Sequence, residues 1–267
     1  MKRHPAVAGQ FYTGSAEGLK RELAALIPAT EDKRRVTGIM APHAGYIYSG
    51  AVAGTLYAAI EIPSRVLIIG PNHHGAGAPA ALYPAGEWHT PLGPVPIDAR
   101  LNDLLHRHVP FIQPDTLAHR QEHSLEVQLP FLRLLRPDLS IAALCLGQGG
   151  YAAVRQIGEG IAAALRPFGD DVLIVASSDM THYESSESAR SKDKLALERV
   201  VALDAEGLLD ICRTERITMC GVVPAAVMLV AAKELGATRA ELVAYATSGD
   251  VSGDHRRVVG YAAVTVH

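Results

Sequence analysis

Four apolar segments of this sequence each run directly into a polar cluster, and this arrangement constrains the fold more than any other feature. The clusters are residues 42–46 (PHAGY), 70–74 (GPNHH), 177–182 (SSDMTH) and 247–250 (TSGD). Because most of the segments are apolar throughout and do not alternate, they predict strands covered on both faces. Proteins with such sheets place their ligand crevice at the carboxyl ends of the strands. We therefore expect the four clusters to meet at one edge of a sheet.

Predicted strands and helices alternate along the chain. Strands are predicted at 36–40, 65–69, 141–146, 172–176, 242–246 and 261–266. Apolar spacing predicts helices near 19–27, 51–60, 99–106, 125–135, 152–165, 193–201 and 223–235, with Pro130 kinking or restarting the fourth. The Gly- and Pro-rich stretch 75–97 predicts a hairpin or loops. The class is therefore α/β: one domain over 1–267, with a central mostly parallel or mixed sheet flanked by helices.

Charge and composition argue against several classes of function. Lys and Arg number 25 against 28 Asp and Glu, a formal net charge of -3, which argues against nucleic-acid binding. The N-terminus has no apolar signal region, and the longest apolar stretch, 222–232, is too short to span a bilayer. Three cysteines at irregular spacing fit a reducing compartment. We expect a cytoplasmic protein without a nucleic-acid or membrane partner.

Histidines recur in these strand-end clusters. His43 follows the first predicted strand, and His73 and His74 follow the second. For His43 alone a surface or capping role is an alternative, but two adjacent imidazoles are difficult to place in a core. Imidazoles supplied from separate strand ends are the neutral, rigidly held donors that a transition-metal site requires. The pattern therefore indicates a metal site.

Further titratable residues accompany these histidines. Asp179 lies three positions before His182, so its carboxylate could orient that imidazole, or it could instead start a helix. In the motif EHSLE (122–126), Ser124 could cap a helix while Glu122 and His123 point from its N-terminus into the crevice. These groups are candidates for acid/base or substrate-binding roles.

The cysteines divide into two kinds. Cys220 precedes a predicted helix, and the positive end of the helix dipole is expected to lower the pKa of its thiol, although a small buried thiol is the commoner alternative. Cys145 lies in a predicted strand and Cys212 in a helical stretch, so both are predicted to be small buried thiols.

Six motifs carry a family resemblance. APHAGY (41–46), GPNHH (70–74), EHSLE (122–126), SSDMTH (177–182), TMCG (218–221) and SGD (248–250) occur in this order. Together they resemble the Memo family, whose prokaryotic members are called AmmeMemoRadiSam system protein B, over nearly the whole chain. This resemblance implies the α/β fold of class III extradiol dioxygenases, non-haem iron enzymes that open catechol rings.

The resemblance also implies roles for individual residues. It makes His43, His73 and Cys220 the metal ligands and His182 the acid/base residue, with Asp179 and His123 as further catalytic candidates. The predicted substrate-binding residues are Tyr46, His74, Glu122 and Asp250. Fe(II) is the metal that the resemblance favours, with copper and zinc as alternatives because a thiolate is a soft ligand.

Three functions follow as hypotheses. The first is a metal-dependent redox enzyme acting on a small molecule, with dioxygenase-like chemistry. The second is a non-catalytic module that binds a peptide or phosphate on an enzyme fold. The third is a zinc hydrolase, since two histidines, a cysteine and water suit catalytic zinc. A Ser-His-Asp hydrolase is weaker, because Ser177 and Ser178 lack a GxSxG setting.

Two kinds of partner are predicted, one from the family resemblance and one from the tendency of exposed edge strands to pair. The family grouping implies as partners a radical SAM enzyme and the third component of the AmmeMemoRadiSam system. A homodimer is expected by default, because exposed strands at a sheet edge often pair with another chain.

Overall fold

The computed structural model describes residues 1–109 and 111–267. Its strands are β1 (Lys2–Arg3), β2 (Gly38–Ala41), β3 (Arg65–Pro71), β4 (Ala80–Leu82), β5 (Glu87–Thr90), β6 (Gly93–Pro96), β7 (Gln113–Pro114), β8 (Ser140–Leu146), β9 (Val172–Ser177), β10 (His182–Glu184), β11 (Ala240–Thr247) and β12 (Val258–Val266). Its α-helices are α1 (Ala16–Leu26), α2 (Tyr46–Ala58), α3 (Ala99–His108), α4 (Leu129–Leu135), α5 (Tyr151–Leu165), α6 (Ser186–Val201), α7 (Ala205–Thr214), α8 (Val222–Glu234) and α9 (Gly249–Ser252).

The main sheet has a parallel centre and antiparallel flanks. Its strands follow the order β10, β12, β2, β9, β3, β8, β4, β7, and β11 pairs with the outer side of β12. The pairs β2–β9, β9–β3 and β3–β8 are parallel, whereas β12 and β4 run antiparallel to their inner neighbours. The carboxyl ends of β2, β9, β3 and β8 therefore lie along one edge. This confirms the predicted α/β class with a mixed central sheet.

Both faces of the sheet are covered, which explains why the strand segments are apolar throughout. Within β3, Leu67 and Ile69 belong to one core cluster, together with residues of α3, α5, α6, α7 and α8. Val66 and Ile68 belong to the other, together with residues of α1, α2 and α4. Successive side chains of a strand point to opposite faces, so burial on both faces removes any alternation from the sequence.

The predicted elements are present, with different boundaries. All six predicted strands form, and Pro130 lies in the first turn of α4, where it restarts the helix as predicted. The stretch 75–97 contains the antiparallel hairpin β5–β6, which pairs with β1 in a separate small sheet. The helix predicted at 51–60 begins at Tyr46, the helix predicted at 193–201 begins at Ser186, and the helical stretch predicted around Cys212 is α7.

A buried ion pair joins the N-terminus to the body of the protein. The Arg3 guanidinium pairs with the Glu126 carboxylate, and both side chains are almost completely buried. Arg3 also donates from Nε to the carbonyl of His119 at 3.0 Å and from Nη2 to the carbonyl of Glu122 at 2.7 Å. Its guanidinium carbon lies 4.2 Å from the ring centroid of Trp88. Arg3 therefore fixes the backbone at the start of the EHSLE motif through buried hydrogen bonds.

Glu126 completes this attachment by binding the segment that follows Arg3. Its carboxylate accepts hydrogen bonds from the backbone N–H groups of Ala6 at 2.7 Å and Val7 at 3.0 Å. It also accepts one from the hydroxyl of Tyr12 at 2.7 Å. A buried carboxylate with this many donors is a structural group, because any lost partner leaves an unpaired charge in the core.

His119 gives this region a pH dependence. Its ring is fully buried, Nε2 lies 3.0 Å from the carbonyl of Ala81, and burial lowers its pKa from 6.5 to about 4. Between these pH values His119 is protonated in the unfolded chain but stays neutral in the native protein. The free energy of unfolding therefore decreases as pH falls from 6.5 towards 4.

We expect the His119→Gln variant to lack this acid destabilisation. Between pH 7 and pH 4 the wild type should lose about 2–3 kcal/mol more unfolding free energy than the variant. Urea denaturation at several pH values measures the difference, with His108→Gln as the control at an exposed histidine. Parallel pH profiles for the wild type and His119→Gln would contradict the assignment.

Among the described residues, none of the helices combines the length and apolarity needed to cross a membrane.

Candidate metal centre

Three histidines meet at the carboxyl edge of the sheet. His43 follows β2, His73 follows β3 and His123 comes from the loop before α4. One ring nitrogen of each lies within 4.8 Å of the others, close enough for the three to hold a single metal ion. The ring centroids are 5.2 Å apart for His43 and His73, 5.5 Å for His43 and His123, and 4.6 Å for His73 and His123.

His43 is the buried member, and its hydrogen bonds define its tautomer. Its Nδ1 lies 2.9 Å from the hydroxyl oxygen of Ser177. That hydroxyl donates its proton to the carbonyl of Ser124 at 2.7 Å and accepts from the amide of Gln128 at 2.8 Å. It therefore accepts from His43 as well, so Nδ1 carries the hydrogen and Nε2 has a free lone pair. Burial, with the neighbouring imidazoles, lowers the pKa of His43 well below 6.5 and keeps it neutral.

His73 is oriented by a buried carboxylate. Glu122 is fully buried, and its Oε1 lies 2.8 Å from Nδ1 of His73. It also accepts from the backbone N–H of His73 at 2.7 Å and of Ser124 at 2.9 Å. Burial alone would raise the pKa of Glu122, but the bonds and charge of His73 and the N–H of Ser124 outweigh it and the net pKa is strongly lowered. An ionised Glu122 holds the proton of His73 at Nδ1 and leaves the lone pair of Nε2 available to a metal ion.

His123 faces the other two rings and is also neutral. It stacks on His73 with an interplanar angle of 14° and packs against Phe11 at 4.9 Å between ring centroids. Burial lowers its pKa to about 4, even though the charge of Glu122 acts in the opposite direction. It was predicted as a catalytic residue, and the structure places it in the same cluster as His43 and His73.

Cys220 lies beside His43 and outside the three-histidine group. Its Sγ is 3.2 Å from Nε2 of His43, and the backbone N–H of Asp179 donates to this sulfur at 3.3 Å. Burial raises the pKa of the thiol, and the nearby carboxylate of Asp179 raises it further. The prediction of a lowered thiol pKa is therefore wrong, because desolvation outweighs the dipole of α8. Ligation by His43, His73 and Cys220 stays a prediction.

Asp179 and His182 do not act as the predicted pair. The carboxylate of Asp179 accepts the backbone N–H of His43 at 2.7 Å, and burial raises its pKa to about 6. The ring of His182 is oriented by Thr218, whose carbonyl lies 3.0 Å from its Nδ1. A carbonyl can only accept, so Nδ1 carries the hydrogen and Nε2 is free to take a proton. Asp179 lies between β9 and β10, so the alternative as a helix start is also wrong.

Two residues predicted to bind substrate are buried in the protein. Tyr46 is 2% exposed, and its hydroxyl donates to the carbonyl of Val127 at 2.7 Å while its ring packs against Phe131. Glu122 has no exposed surface and holds His73 instead. Both predictions are corrected because these side chains face the interior.

The other two predicted substrate-binding residues are at the surface. The carboxylate of Asp250 pairs with Arg190 at 2.9 Å and accepts from the backbone N–H of Thr247 at 2.7 Å. His74 is exposed, with Nε2 at 3.2 Å from the carbonyl of Gln121. Substrate contact through either residue stays a prediction.

Several orienting residues were not predicted, and one was given a different role. Ser124 does not cap a helix; its hydroxyl donates to the carbonyl of Pro71 at 3.1 Å, and the next helical turn begins without a side-chain cap. Gln128, which binds the hydroxyl of Ser177, and Thr218, which orients His182, were missed. Gln128 lies outside the six motifs, and Thr218 begins the TMCG motif, in which only Cys220 had been given a role. Each acts on a residue distant in sequence.

The contact between Glu122 and His73 leads to a measurable prediction. Replacing Glu122 with glutamine is expected to weaken metal binding about 10–100-fold, because an amide cannot match the carboxylate in fixing the tautomer and basicity of His73. Competition with a chromophoric chelator measures the affinity. Glu87→Gln is the matched control, since Glu87 lies 2.7 Å from His89 outside the cluster. Equal affinities for both variants would contradict the role of Glu122.

The sequence of this chain is similar to that of one known protein family. A family model described as Memo-like protein matches residues 3–265. A MEMO1 family protein of Methanopyrus kandleri is 40% identical over 99% of this chain and 98% of its own length. A MEMO1 family protein of Aquifex aeolicus is 43% identical, with 97% of each chain covered.

One solved structure supports the fold independently. An uncharacterised protein of Escherichia coli K12, JW3007, superposes with a TM-score of 0.53 at 15% sequence identity. The match covers 86% of this chain and 100% of that one. At this identity the similarity concerns the fold alone.

Proposed function

The chain belongs to the Memo-like protein family, and we propose that it is a metal-dependent redox enzyme with its centre at His43, His73 and His123. The observation that carries the proposal is the approach of one ring nitrogen from each histidine to within 4.8 Å of the others. Fe(II) is the metal that we propose, with copper and zinc as alternatives, and oxygen-dependent chemistry of the dioxygenase type is the activity.

The donor set fits such a metal. Nitrogen ligands must be unprotonated, and burial lowers the pKa of both His43 and His123. Imidazole suits iron, copper and zinc alike, so three imidazoles do not select among them. The sulfur of Cys220, 3.2 Å from His43, adds a softer donor that favours Cu(I) or zinc. His43 and His73 are common to both ligand sets, and the third ligand is either His123 or Cys220.

The residues around the cluster have separate tasks in this proposal. A bound redox metal would supply electron transfer and activation of oxygen. The free Nε2 of His182 accepts or returns a proton of the substrate, because Thr218 holds the other ring nitrogen. Asp179 fixes the backbone of His43, and Glu122 fixes the ring of His73. Proton transfer and metal binding are thereby assigned to different histidines.

Metal reconstitution tests the proposal. Protein purified without oxygen is loaded separately with Fe(II), Cu(I) and Zn(II), and bound metal and oxygen uptake with catechols are measured. His123→Ala and Cys220→Ser are compared, and the variant that loses metal identifies the third ligand. We expect about one metal per chain in the wild type. Failure to bind any of the three metals would refute the proposal and favour the peptide- or phosphate-binding module.

His182 supplies a prediction that separates chemistry from metal binding. His182→Gln should keep its metal and lose oxygen uptake about a hundredfold, because a positioned acid/base group is removed. Metal content and uptake are measured on the same preparation, with His108→Gln, at an exposed histidine outside the site, as the control. Loss of metal in His182→Gln would instead make His182 part of the ligand set.

A zinc hydrolase is the second candidate, and one observation favours it. Three imidazoles are a ligand set known for catalytic zinc, where the metal lowers the pKa of bound water. Stoichiometric zinc, retained in preference to iron and without oxygen uptake, would favour this alternative.

A further inference from the structure

A cavity adjoins the candidate metal centre on the side of Cys220. It has a volume of about 550 Å³, and its walls include Tyr151, Leu209, Thr218 and Cys220. The sulfur of Cys220 in this wall is 3.2 Å from Nε2 of His43. A molecule in this cavity is therefore separated from the buried histidine by one side chain.

A second cavity continues away from the first. Its volume is about 360 Å³, and the two share Gln148, Gly149 and Val223 as wall residues. Its own walls include the exposed ring of Phe111 and the apolar side chain of Ile157. Each cavity is within the size range of small-molecule sites, and apolar walls favour apolar ligand groups.

The two ends differ in polarity. Side-chain charges beside the larger cavity are balanced, since Arg213 pairs with Asp210 at 2.8 Å. Helices α5 and α8 begin at this cavity, after Gly150 and Gly221, and neither start has a side-chain cap. Their positive ends favour a negative charge there. The adjoining cavities define the site, and the helix ends give only the sign of the charge.

We propose that the adjoining cavities bind an amphipathic anion, with its acidic head group beside Cys220 and its apolar chain against Phe111 and Ile157. That this anion is the substrate of the histidine centre rests on the proposed function. The binding site itself consists only of residues outside the three-histidine group.

Decanoate is the probe, and its binding is measured by titration calorimetry on the full chain, both after chelator treatment and after zinc loading. Ala153→Trp introduces an indole into the smaller cavity, whereas Ala152→Trp places one on the same helix outside both cavities. Both alanines are exposed, so both variants should fold. We expect at least a tenfold loss of affinity for Ala153→Trp and less than a twofold change for Ala152→Trp.

Shorter and oppositely charged probes test the two halves of the site. Butyrate and decyltrimethylammonium should each bind at least tenfold more weakly than decanoate. The inference is overturned by absent saturable decanoate binding, by equal effects of the two tryptophan variants, or by equal binding of the cationic probe. Decanoate binding by a protein that takes up no metal would uphold the cavity site and refute the metal-dependent function.

Discussion

Replacing Arg3 with methionine is expected to lower the free energy of unfolding by about 3–5 kcal/mol, because it leaves the Glu126 carboxylate charged and buried without its cation. The pair is fully enclosed, and Arg3 additionally holds the carbonyls of His119 and Glu122. Denaturation by urea at neutral pH measures the loss. The loop that carries His123 should loosen with it.

Two further variants make this test specific. Lys2→Met removes the neighbouring cation, whose ion pair with Glu87 is largely exposed at 3.8 Å, and should cost less than about 1 kcal/mol. Arg3→Met combined with Glu126→Gln should recover part of the loss, since the unpaired charge is removed. Similar losses of unfolding free energy for Lys2→Met and Arg3→Met would show that burial of the ion pair does not determine its contribution to stability.

Replacing His43 with alanine should reduce bound metal from about one per chain to less than about a tenth, because one of two indispensable ligands is lost. His73→Ala is expected to behave in the same way. The fold should persist, since the contacts of Gln128 and Ser177 with neighbouring groups remain. Elemental analysis of reconstituted protein measures the metal, and circular dichroism verifies the fold.

The matched control for these variants is His74→Ala. His74 is adjacent to His73 and exposed, yet it does not belong to the three-histidine group. Full metal content in His74→Ala beside empty His43→Ala and His73→Ala would show that position, and not histidine content, determines binding. Retention of metal by His43→Ala would exclude this cluster as the centre.

The sheet could be predicted from sequence because burial on both faces leaves unbroken apolar segments. Helix boundaries were less predictable. Nothing in the sequence marks the start of α2, since Gly45 supplies no side-chain cap, and Tyr46 was therefore placed in the crevice when it lies in the core. Helix α7 was predicted around Cys212 without bounds, although its start does carry a signal, because Asp204 accepts a hydrogen bond there from the backbone N–H of Gly207.

The positions of site residues were most predictable where the residues follow strands. His43 and His73 were placed correctly because parallel strands end at one edge. The EHSLE motif predicted His123 in the crevice but not within the histidine cluster, because the position of its loop depends on contacts of Arg3 across more than a hundred residues. The pKa of Cys220 was predicted in the wrong direction for a similar reason, since the depth of burial is a property of the whole fold.

In the proposed centre, His43 and His73 hold a metal ion together with one neighbouring donor. An anomalous-difference map at the iron edge, from crystals of protein loaded with Fe(II) without oxygen, tests it most directly. We predict one peak at about 2.0–2.4 Å from a ring nitrogen of each of these two histidines, with His123 or Cys220 as the third ligand. A map with no peak at this cluster, from protein that binds iron in solution, would contradict the account.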